Sequence, residues 1–212
     1  MKKLYKLYYN PKVIGVKNIP SKGPVVLCGN HLNNLDSSII SSTVKRNILW
    51  LNNNENKVNK ELENNGIVGI FPEKYINIYR LVQLEIMALE KEIIKFNSNK
   101  HLRGTDCMTE VARIKNKINE QMAYLDQIKK KLSLMGIKIN DYDILLPFND
   151  IAITLAKKYN AFIVPFAITG SISFLSHDLT VRFGEAIKVN GSIETEKNIL
   201  KENIKKLIYK NY

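Results

Sequence analysis

"VVLCGNHLNNLDSSI", residues 25–39, ends a continuous apolar run at Gly29 and places His31 five positions ahead of Asp36. An unbroken run of this length is the pattern of a short strand buried on both faces. The turn residues "NIPSKGP" (18–24) lead into it, and Asp36, Ser37 and Ser38 suit the start of a helix through "SIISSTVK" (38–45). The expectation is a strand, a turn carrying His31, and a helix capped by Asp36. An imidazole at such a turn has a mechanical use: it takes a proton from a hydroxyl while a carboxylate fixes its tautomer and stabilises the imidazolium. A loop histidine followed by a helix cap is the bland reading of the same residues. The rest of the chain has to decide between them.

Working outward, "NILWL" (47–51), "IVGIF" (67–71) and "AFIVPFAIT" (161–169) read as further buried strands, and "LTVRFGEAIKV" (179–189) as one alternating strand. A loop and a short helix are expected within 52–66, and helices over "IAITLAKKY" (151–159) and "ETEKNILKENIKKLIYK" (194–210). Residues 76–135 follow a different rule. Val82, Ile86, Leu89 and Ile93 recur at spacings of four and three, as do Val111, Ile114, Ile118, Met122, Leu125, Ile128, Leu132 and Met135. Turn residues over 97–106 separate the two runs, and Gly136 offers a stop. The fold class is therefore α/β: a mixed sheet flanked by helices, one domain over 1–212 with an inserted helical hairpin at 76–135.

The bulk numbers narrow the partners. Thirty-two basic against 20 acidic residues give a net charge of +12, which favours an acidic partner such as nucleic acid or an anionic membrane surface. No zinc-finger, RNP or helix-turn-helix signature supports nucleic acid. Two cysteines make no disulfide framework. "MKKLYKLYYNPK" lacks the apolar core of a secretory signal, and no stretch approaches the about 18 apolar residues that span a bilayer. The expected location is cytoplasmic. Cys28, His31, His101 and Cys107 nominally total a zinc set, but the two pairs are far apart in sequence and a buried apolar role suits Cys28 better, so no metal is expected.

Three further stretches follow the His31–Asp36 block in a specific order: "GIFPE" (69–73), "LLPF" (145–148) and "IVPFAITG" (163–170). Together they resemble the glycerophosphate acyltransferase family, of the type that acylates 1-acylglycerol-3-phosphate. "VIGVKNIPSKGPVVLCGNHLNNLDS" (13–37) is similar to that family's lead-in and His-x4-Asp block, and "GIFPE" to the first half of its Phe-Pro-Glu-Gly-Thr-Arg block. The likeness covers roughly 13–75 and 144–190.

The resemblance implies transfer of an acyl group from acyl-CoA or acyl-carrier protein, as a co-substrate and without a cofactor, to the hydroxyl of a lysophospholipid. His31 would be the general base and Asp36 its orienting partner. Asn30, Phe71, Pro72, Glu73 and Lys74 would line the substrate site, on a protein peripheral to the cytoplasmic face of an anionic membrane. The sequence also departs from the family: "KYINIYR" (74–80) stands where Gly-Thr-Arg is expected, and the hairpin replaces a short link. Lys74, Arg80 and Arg103 are the substitutes available to grip a phosphate. The alternative is a non-enzymatic, membrane-associated binding protein on a degenerate acyltransferase scaffold.

Overall fold

The computed structural model describes residues 7–51, 55–73, 78–98, 105–136, 144–170 and 179–209. Packing divides the chain into two compact units: Met1–Ile76 with Leu145–Tyr212, and Asn77–Ile144.

The first unit is built on seven strands: β1 (Lys12–Ile14), β2 (Val25–Gly29), β3 (Ile48–Trp50), β4 (Ile67–Ile70), β5 (Phe162–Thr169), β6 (Thr180–Phe183) and β7 (Ile187–Lys188). Their order is β1-β6-β5-β2-β4-β3, with β7 also on β5. Strands β3, β4, β2 and β5 run parallel, so their C-terminal ends share one edge of the sheet. Every residue of β2 and β4 is buried, as the unbroken apolar runs require of strands covered on both faces. The helices α1 (Asp36–Thr43), α2 (Glu55–Glu63), α5 (Ile151–Lys158) and α6 (Ile193–Tyr209) flank the sheet, with α2 packed on β4, α5 on β2 and α6 on β5. The mixed sheet with helices around it is the expected fold class.

At the end of the sheet where β2 and β4 begin, Arg46 joins two turns. Its guanidinium donates to the carbonyls of Pro20 and Gly23, both at 2.8 Å, and to that of Asn65.

The single strand expected over 179–189 is two strands. β6 pairs with β5 at Phe166–Thr169, and β7 pairs with it at Phe162–Ile163. Pro165 lies between those two stretches and has no N–H to give a ladder. The partner chain leaves the sheet there, and Gly184 N–H donates to the Pro165 carbonyl at 2.8 Å. The lead-in also contains a strand not foreseen from the sequence, β1, whose three residues pair parallel with β6. The N-terminal "KKLYKLYY" falls mostly outside the described residues.

In the second unit, α3 (Ile78–Ser98) and α4 (Thr105–Leu134) pack together. Tyr79, Val82 and Ile86 from the start of α3 meet Leu125, Ile128 and Leu132 from the end of α4, which makes the pair antiparallel. Met122 and Met135 were expected on this stripe but are 54% exposed each. Met122 stands on the exposed side of α4, and Met135 lies past the end of the helix at Leu134. Past Leu134, Gly136 takes a positive φ of 74° and donates its N–H to Ser133, the left-handed stop expected of it.

Glycine at 29 is a steric necessity. A Cβ there would stand 2.3 Å from the Phe166 ring and 2.4 Å from the Phe166 carbonyl oxygen. Because backbone as well as ring is in the way, Gly29→Ala is expected to lower stability by about 1–3 kcal/mol, the scale of core overpacking, measured as the shift of the urea midpoint.

Candidate active site

The C-terminal edge of a parallel sheet is where α/β proteins place their ligands. Here β2 ends into His31, β4 into Phe71, Pro72 and Glu73, and β3 at Trp50. The three aromatic rings from these neighbouring strands form a stack. His31 lies 4.1 Å from Phe71 with 14° between planes, and Trp50 lies 4.7 Å from Phe71 with 12°. Two rings that close and that parallel must take opposite faces of Phe71. Phe166 meets Trp50 and Phe71 edge-on, at 6.2 and 6.0 Å. Gly69 makes room for the stack, since a Cβ there would come within 2.5 Å of the Trp50 ring. The indole N–H donates to Ser41 Oγ at 2.9 Å, tying the far end of the stack to α1.

The turn that carries His31 is held residue by residue. Asn30 is buried, and its side chain exchanges two hydrogen bonds of 2.9 Å with the backbone of Ile168. An amide used in this way extends the β2–β5 ladder one residue beyond Gly29. His31 N–H donates to Glu73 Oε2 at 3.2 Å. The N–H groups of Leu32 and Asn33 donate to Asp36 Oδ2 at 2.7 and 2.8 Å. Asn33 Oδ1 accepts from Leu35 N–H.

Asp36 is therefore not the cap expected of it. It is the first residue of α1; Leu35 stands at the cap position, and no side-chain hydrogen bond caps the helix. Its carboxyl group turns back to the loop amides, where a negative charge also suits the helix N-terminus. Among the described residues no hydrogen bond joins Asp36 to the imidazole, and Asp36 Oδ1 is buried without a partner. Burial pushes the Asp36 pKa up to about 6, against the opposing hydrogen bonds from Asn33 and Leu32. Burial pulls His31 below its ordinary 6.5, partly offset by a hydrogen bond to the Asn33 backbone. Burial therefore favours the neutral form of the half-buried imidazole.

Glu73 is 3% exposed. Besides holding His31, it accepts Leu146 N–H on Oε1 at 2.7 Å. The adjacent chain pairs as well: Glu73 bridges Phe148, and Asn149 N–H donates to the Pro72 carbonyl at 3.0 Å. The "GIFPE" and "LLPF" stretches are thereby brought together beside the His31 turn.

A cleft of about 1200 Å³ opens at this edge. Leu51, Val58, Phe71, Ile151 and Leu155 give it apolar walls, and Asn56, Asn59, Asn149 and Thr154 give it neutral hydrogen-bonding groups. Its charged lining is Glu55, Glu73, Asp150 and Lys158. Asp150 pairs with Lys197 at 2.9 Å. His31 is outside this lining and stacks on Phe71, which is part of it.

Of the residues expected at the site, His31, Asp36, Asn30, Phe71, Pro72 and Glu73 all come together at this edge. Lys74, Arg103 and His101 lie outside the described residues, and Arg80 belongs to the hairpin unit. Among the described residues no three His, Cys, Asp or Glu side chains gather as metal ligands, and burial, with Glu73 nearby, pushes the Cys28 thiol up. Sequence reasoning missed Trp50 and the α2 and α5 faces of the cleft. The one tryptophan of the chain, at the end of a short strand, was the available signal.

A solved structure shares the fold. The 1-acyl-sn-glycerophosphate (LPA) acyltransferase PlsC from Thermotoga maritima is similar with a TM-score of 0.55, over 99% of this chain and 79% of that one, at 12% identity. The fold is that of a PlsC acyltransferase. No protein-family model and no curated protein matches the chain, so the likeness lies in the fold. No described helix is long and apolar enough to cross a membrane.

The raised Asp36 pKa has a thermodynamic consequence. The native state binds this proton more tightly than the unfolded chain does, so the group favours folding below its ordinary 3.8, and that contribution is lost as pH rises through about 6. Asp36→Asn removes the dependence. Between pH 3.8 and 7 the variant should gain on the wild type by on the order of 3 kcal/mol, read from paired urea unfolding curves across that range.

Proposed function

We propose that the protein is an acyltransferase moving a fatty acyl group from acyl-CoA or acyl-carrier protein to the hydroxyl of a lysophospholipid such as 1-acylglycerol-3-phosphate, in phospholipid synthesis. One observation carries the reading: a half-buried histidine, held at the C-terminal edge of a PlsC-type sheet beside a cleft with apolar and hydrogen-bonding walls. In this reading the acceptor hydroxyl gives its proton to His31 as its oxygen attacks the thioester carbonyl. The tetrahedral oxyanion collapses, the carbon–sulfur bond breaks, and the thiolate takes the proton back from the imidazolium. Asp36 holds the turn, and its partnerless Oδ1 is the acceptor left for the charged ring. Phe71 stacks on the imidazole and is itself part of the cleft wall.

The protein acts in this proposal at the cytoplasmic face of a membrane, where lysophospholipid is found. A net charge of +12 supports this, because each Lys or Arg close to an anionic leaflet gains about 1 kcal/mol. Binding to vesicles rich in anionic lipid is expected to fall steeply between about 0.05 and 0.5 M salt as screening shortens, with little binding to neutral vesicles. Sedimentation with the two vesicle types measures it, and equal, salt-independent binding removes the electrostatic attachment.

The activity test is purified protein with acyl thioesters and a panel of lysophospholipids. His31→Ala should lower the transfer rate by about two to four orders of magnitude without changing the unfolding midpoint by much, since the side chain is not in the core. The acid limb of the wild-type rate should lie below pH 6.5, because burial keeps the imidazole neutral to lower pH. A wild type with no transfer to any acceptor, yet folded and vesicle-bound, would favour a binding protein on the same scaffold.

A further inference from the structure

The turn from Asn30 to Asn33 belongs to no strand or helix, and each of its residues is tied down by a hydrogen bond. Three of the four ties run to β5 or to α1: Asn30 to Ile168, and Leu32 and Asn33 to Asp36. His31 alone is tied to the chain that follows β4. Its N–H donates to Glu73 Oε2, while Glu73 Oε1 accepts Leu146 N–H. From Leu146 the chain passes through Phe148, which bridges Glu73, into Asn149, Asp150 and Ile151, which line the cleft. One buried carboxyl group therefore touches the backbone of the base with one oxygen and the backbone leading to the cleft wall with the other.

We propose that Glu73 is a positioning residue that sets the spacing between the His31 imidazole and the 149–151 wall of the cleft by holding both backbones. The proposal rests on His31 being the base of an acyl transfer, and it gives Glu73 a different task from the substrate contact that the sequence suggested. Two N–H donors on opposite oxygens define a fixed span. Glutamine keeps the length but offers one oxygen, and its NH2 group faces the second N–H as donor against donor. Aspartate keeps two acceptors but is one methylene short, and cannot reach both amides. A shift of about 1 Å in the base relative to its substrate costs on the order of 100-fold in rate.

The experiment compares wild type, Glu73→Gln and Glu73→Asp by three readouts. These are kcat and KM for a lysophospholipid acceptor, hydrolysis of the acyl thioester in its absence, and titration of the His31 ring by NMR, assigned against His31→Ala. Both variants are expected to lose about 10- to 100-fold in kcat and a similar factor in hydrolysis, with acceptor KM within about threefold of wild type. The His31 titration should move up toward 6.5 as the loosened turn admits water. Normal hydrolysis with a raised acceptor KM would overturn the proposal and make Glu73 a substrate contact. Wild-type kcat with an unmoved His31 titration would overturn it too. If wild type neither transfers nor hydrolyses, the acyl-transfer reading falls. The ring titration, which needs no substrate, then decides whether Glu73 holds the turn. Glu73→Asp, which keeps the charge, carries the test if Glu73→Gln does not fold.

Discussion

A buried turn with no ladder of its own must find acceptors for its amide groups, and the whole site is organised around that need. Each buried N–H left without a partner costs about 1–3 kcal/mol. Between the end of β2 and the start of α1, the amides of His31, Leu32 and Asn33 all donate to carboxyl groups. Two acidic residues, Asp36 and Glu73, are drawn into the interior to meet them. Burying those groups is itself unfavourable, as the raised pKa of Asp36 records, and the hydrogen bonds they accept offset the cost. The position of the imidazole follows from this arrangement. So does its protonation, since a turn closed in this way keeps water from half of the ring.

The aromatic stack does a second job with the same residues. Its order, His31 to Phe71 to Trp50, follows the strand order β2, β4, β3. Ring spacings of 4.1 and 4.7 Å are close to the separation of adjacent strands, so one ring per strand end makes a continuous column. Gly69 in β4 supplies the room for the Trp50 ring, and Gly29 in β2 that for Phe166, which meets the column edge-on. Phe71 is shared between the column and the cleft, so the imidazole and the cleft have a common wall.

What was legible in the sequence is what local pattern dictates. The five residues of β2 and the antiparallel helices announce themselves by an unbroken apolar run and by spacings of three and four. The order of short motifs pointed to the fold. The misreadings arise where a distant residue intervenes. An alternating pattern over 179–189 cannot reveal that Pro165, in the neighbouring strand, interrupts it. Asp36 has the spacing of a cap and of a catalytic partner alike, and only the placement of the Leu32 and Asn33 amides shows where its Oδ2 goes. Glu73 does line the cleft, as the sequence suggested, but its link to Leu146 spans a whole inserted unit and leaves no local signal. Trp50 carries no motif, and its part in the stack emerges only when β3 pairs with β4.

The small pairing of Glu73 with Phe148, reinforced by Asn149 N–H on Pro72, also closes a stem. The chain leaves the α/β unit after Ile76 and returns to it at Leu145, so the pairing close to exit and entry lies within the sheet unit itself. Everything between them behaves as a cassette. Its length can change with little added loop-closure entropy, which grows only slowly with length, and the sheet is not opened by the exchange. A scaffold with such a socket can trade one inserted module for another while its histidine turn, strand order and aromatic column stay as they are.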